Sequence, residues 1–142
     1  MHDLPTGSQL LALARAVLLE ELMPLLPSER RLDALLVGNC LAIAAREAAA
    51  GTGPMQAIDT ELRDLYEAAA GCASVAGEPD LWRRFADDLR VGLFGNSPDC
   101  EARARAVLWR LTIAKLRLAN PRFLAANGFD RGNRPGDRHH VP

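Results

Sequence analysis

No histidine occurs between His2 and His139. A histidine general base, a histidine-activated nucleophile and an internal histidine metal site are therefore all excluded, because each needs an imidazole held by the fold. Cysteine is nearly as scarce. Cys40, Cys72 and Cys100 are odd in number, far apart and without a C-x-x-C pair, so neither a disulfide framework nor a zinc site is indicated. Cys100 follows "SPD" at the start of a helix, where the dipole favours a thiolate, but Asp99 and Glu101 on either side oppose ionisation. Lysine occurs once, at Lys115, among 17 basic residues, and this is read as codon bias. A net charge of -1 gives no electrostatic case for nucleic acid or for an anionic membrane as partner. Apolar runs long enough to cross a bilayer and the basic start of a signal peptide are both missing, so a cytoplasmic location is expected. Period-two alternation with hairpin turns is absent as well, which leaves no case for a sheet.

What the 142 residues do contain is helical periodicity. Thr6 and Gln9 have the spacing of a capping box, and Leu10, Leu13, Ala14, Val17, Leu18 and Leu22 then recur at helical intervals up to Pro24. Ser28 is the expected cap of a second helix carrying Leu32, Leu35, Leu36 and Ile43 on one face, ending near Ala50 before "GTGP". Met55, Ile58, Leu62, Leu65, Tyr66 and Ala69 mark a third helix. Leu81, Phe85, Leu89 and Leu93, with Trp82 beside them, mark a fourth that starts at Asp80. Ser97 as cap and Pro98 as first residue open a fifth. That helix has two apolar faces, separated by a narrow strip of Arg103, Arg110 and Arg117 at heptad spacing. The expected fold is all-α, a single bundle of about five helices over residues 1–126, followed by a flexible Gly/Pro/Arg-rich tail over 127–142. His139 and His140 lie in that tail and are adjacent, which is not a metal-ligand spacing.

Five polar residues fall where apolar ones are expected. Glu21 lies in the arc of Leu10, Ala14 and Val17. Asn39 and Arg46 lie on the leucine face of the second helix, and Asn120 lies on the Trp109, Ile113 and Leu116 face of the fifth, directly before Pro121 and Arg122. Proline disfavours helical geometry in the residue before it, so the fifth helix should stop at Asn120. Buried polar groups need partners. The five would therefore either tie helix ends together, with Glu21 pairing Arg122, or line a pocket between helices one, two and five. In such a pocket amides and an arginine could hold a carboxylate or an acyl amide.

The segments "HDLPTGSQLLALARAVLLEELMP", "VGNCLAIAARE" and "KLRLANPRFL", in this order, resemble a bacterial domain-of-unknown-function family. Its genes commonly stand beside those for aminoglycoside-phosphotransferase-like kinases and acyl-CoA dehydrogenases. Leu35 stands where that family carries a basic residue. The resemblance implies an accessory role in acyl-CoA or hydroxy-acid breakdown, with the kinase-like phosphotransferase or the dehydrogenase as partner and no catalytic residues to transfer.

The expectation is thus a non-enzymatic accessory or binding protein without cofactor or metal. One alternative is a small-molecule enzyme with Glu21 as general base and Arg46 or Arg122 holding an anionic acyl substrate, although a buried general base and an adjacent arginine work against each other. Another is a self-associating structural protein, a homo-oligomer, whose mark would be a broad exposed apolar face on helix three or four.

Overall fold

The computed structural model describes residues 4–68 and 80–129, and every element within them is helical. In chain order these are α1 (Gly7–Ala16), α2 (Arg31–Ala50), α3 (Gly53–Ala68), α4 (Leu81–Arg90), α5 (Pro98–Ala119) and α6 (Pro121–Ala126). A π-helical turn over Val17–Leu22 and short 3-10 turns over Met23–Leu25 and Ser28–Arg30 join α1 to α2, and another 3-10 turn over Leu93–Asn96 precedes α5.

The elements gather into two compact units. The first holds Met1–Thr52 with Arg117–Pro121, and the second holds Gly53–Leu116 with Arg122–Pro142.

In the first unit α1 and α2 pack as a helical pair. Thr6 caps α1 as expected: its hydroxyl accepts from the Gln9 amide at 3.3 Å, and the Gln9 side chain accepts from the Thr6 amide at 2.8 Å. The regular helix is shorter than its apolar period suggests. It widens at Val17, where the ladder passes to π spacing and the Met23 amide reaches back to the Leu18 carbonyl. Pro24 has no amide to offer the preceding turn, so α geometry cannot continue through it. Ser28 is not the cap of α2: its hydroxyl bonds Glu29, and the helix begins three residues later through a 3-10 turn.

The second unit is built on a conventional core. Ile58, Leu62, Leu65 and Tyr66 from α3, Leu81 and Phe85 from α4, Phe94, and Ala104 and Val107 from α5 are buried together. Phe94 escapes the helical period because α4 ends at Arg90. Gly92 then turns the chain with φ 75°, a conformation only glycine adopts freely, and this carries Phe94 into the core in place of the expected Leu93. Phe94 meets Tyr66 and Phe85 edge-on, with ring centroids 5.8 and 5.4 Å apart. The polar edges of the aromatic residues are satisfied between α3 and α4. The Trp82 indole donates to Asp59 at 2.7 Å, the Tyr66 hydroxyl donates to Asp88 at 2.7 Å, and Arg84 pairs with Asp88 at 3.6 Å. Phe129, just past the expected end of the folded part, lies edge-on to Trp109 at 5.4 Å. Ala69, Cys72 and the expected tail from Asp130 onward, His139 and His140 included, lie outside the described residues.

Candidate functional site

Four of the five polar residues expected to face inward do not. Glu21, in the π turn, and Asn39, on α2, are exposed, as are Asn120, between α5 and α6, and Arg122, in the first turn of α6. Among the described residues no polar or charged residue is buried. A buried network is therefore not what holds these groups, and the desolvated Glu21–Arg122 ion pair has no buried setting.

Arg46 is the exception and is half-buried. Its guanidinium Nε donates to the Leu118 carbonyl at 2.6 Å. Leu118 is in the last turn of α5, where carbonyls lose their intrahelical partners. Pro121 at the first position of α6 removes one further amide. A cation from α2 thus closes α5 at its negative end, doing the work a glycine-based cap does elsewhere.

The leucines of α2 explain why the inward assignment fails. Helix α2 meets α1 through its small residues: Ala34 and Gly38 are buried, whereas Leu32, Leu35, Leu36 and Val37 are 65, 51, 58 and 50% exposed. Gly38 permits this close approach. A Cβ placed on it would stand 2.9 Å from Cδ2 of Leu19, and its carbonyl accepts from Arg15 Nε at 3.1 Å. The helix is therefore rotated so that a row of small residues, and not the leucine row, faces its neighbour. Leu10, Leu13, Leu22 and Leu25 are 51, 61, 49 and 80% exposed as well. These eight large apolar side chains thus stand about half or more in solvent. Single exposed leucines need no explanation, but a concentration of them in one small unit does.

A second feature lies in the other unit. Glu61, Asp64 and Leu65 of α3 and Arg103, Ala106, Val107 and Arg110 of α5 enclose a shallow groove of about 220 Å³. Arg110 pairs with Glu61 across it. Asp64 and Arg103 have no ion-pair partner within 4 Å among the described residues. The heptad strip of arginines was legible in the sequence, but the carboxylates facing it were not, since helical wheels do not say which helices are neighbours. The groove is small and half polar, with charges in balance.

The fold and these surfaces define a class: an all-helical protein of two compact units, one closed around an aromatic core and one with many of its large apolar side chains exposed. Residues 24–123 match the domain of unknown function DUF6285, and the chain belongs to that family. No curated protein and no solved structure matches it.

Proposed function

We propose that the chain is a non-enzymatic accessory protein that acts by binding another protein through its first unit. The observation behind this reading is the exposure of eight large apolar side chains on a unit whose described residues bury only Ala34 and Gly38. Neither residue brings a large side chain into a core, so contact with a partner is the available route to desolvating the leucines. The enzyme alternative loses support because Glu21, Asn39, Asn120 and Arg122 are exposed and Arg46 is committed to a helix end. The resemblance noted above names the partner to try first, the kinase-like phosphotransferase of the same host, with a place in acyl-CoA or hydroxy-acid breakdown and in the cytoplasm. Calorimetric titration of the purified kinase-like protein with this chain should give saturable binding that Leu13→Glu abolishes. Absence of heat and of co-elution with the kinase-like protein and with the acyl-CoA dehydrogenase would refute the accessory role.

A further inference from the structure

Between Asp33 and Arg46 the twelve residues Ala34–Ala45 carry no charge, and Asn39 is the most polar side chain among them. One face of α2 carries the exposed Leu32, Leu36 and Asn39 and the half-buried Ile43 at spacings of four, three and four, with Leu35 alongside. This is a heptad seam with an amide at its centre.

We infer that this stripe of α2 is the contact between two copies of the chain, related by a two-fold axis passing close to Asn39. The inference rests on the reading of the first unit as a protein-binding surface and assigns the α2 stripe of that surface to a second copy of the chain.

Three observations select a second copy. The first is chemical. An uncharged stripe offers a foreign partner no ionic handle, and its central group is a primary amide, which carries a donor and an acceptor on one side chain. An identical amide across a two-fold axis satisfies both, and an isologous interface requires that self-complementarity. Asn39 is exposed and makes no hydrogen bond to a described residue, so it is available for this role.

The second observation is the extent of the patch. Leu32, Leu35 and Leu36, with Leu25 from the preceding turn, are 65, 51, 58 and 80% exposed. Together they present on the order of 300 Å² of leucine surface. That amount makes the apolar centre of an interface of ordinary size, and implies a dimer that dissociates on dilution. The third observation concerns the opposite face. An interfacial membrane helix carries a basic polar face behind its apolar one. Behind the leucines of α2 lie Ala34 and Gly38, packed against α1.

Sedimentation velocity on the full chain over a wide concentration range tests the inference. The expected result is a monomer–dimer equilibrium that Leu36→Glu shifts to monomer. Asn39→Asp should weaken association about tenfold or more at neutral pH, because two carboxylates then face each other. Most of that loss should be recovered near pH 4, where an aspartate takes up its proton. Both side chains are exposed, so circular dichroism should show helicity unchanged in either variant. A monomer at every concentration overturns the inference, as does a dimer indifferent to Leu36→Glu and Asn39→Asp, or flotation with phosphatidylcholine vesicles that Leu36→Glu abolishes. Titration with the kinase-like phosphotransferase reports separately on the accessory reading: a monomeric chain that still binds it defeats the dimer alone.

Discussion

The two units of this chain use their large apolar residues in opposite ways. In the second unit Leu62, Leu65, Tyr66 and Phe85 are no more than 2% exposed, and the polar edges of Tyr66 and Trp82 are bonded to aspartates. Among the described residues of the first unit only an alanine and a glycine are buried, Leu11, Leu18, Leu19 and Leu41 are half-buried, and eight large apolar side chains are exposed. Burial of apolar surface is the main favourable term in folding. The second unit therefore carries that term in its own core, and on the reading proposed here the first gains it by association. The contrast also separates two kinds of residue that look alike in sequence: leucines buried in a core and leucines left in solvent.

Substitutions can break this contrast or sharpen it. The largest loss is expected for Phe85→Ala, which empties the centre of the aromatic cluster and should cost about 3 to 5 kcal/mol in urea unfolding. Leu62→Ala should cost roughly 2 to 5 kcal/mol by the same mechanism. In the first unit the sensitive position is a glycine. Gly38→Leu would overfill the contact between α2 and the π turn, where a Cβ already falls 2.9 Å from Leu19, and should cost about 1 to 3 kcal/mol. Tyr66→Phe removes one hydrogen bond to Asp88, which keeps Arg84 as a partner, so a loss of about 1 kcal/mol is expected in the same assay. The smallest effects belong to the exposed row. Leu32→Ser and Asn39→Ala, measured on dilute protein, should each lie within about 0.5 kcal/mol of the parent. A cost for Leu32→Ser equal to that of Leu62→Ala would erase the distinction between the units.

Much of the helical pattern was legible in the residues. The Thr6 capping box, the stop before "GTGP", the inner faces of α3 and α4, and the start of α5 at Pro98 follow from local chemistry that tertiary contacts do not overrule. The stop of α5 at Ala119 follows from Pro121 in the same way, although its cap, Arg46, comes from another helix and is not a local signal. The site was less legible. A leucine row on α2 and a row of alanine and glycine beside it both repeat at helical spacing, and hydrophobicity favours the first as the inward face. Close approach at Gly38 decided for the second, which left Asn39 in solvent. The exposed apolar face expected of a self-associating protein on helix three or four lies instead on α1 and α2, because α3 and α4 spend theirs on Phe85 and Phe94.

Hydrogen exchange followed by mass spectrometry at low and high protein concentration compares the two units in a single experiment, since amide protection reports local opening free energy. Amides over residues 32–43 of α2 should become more protected as concentration rises, with those of α3 and α4 unchanged. Protection over 32–43 that is equal at both concentrations, and as strong as that around Leu62 and Phe85, would contradict a first unit stabilised by association.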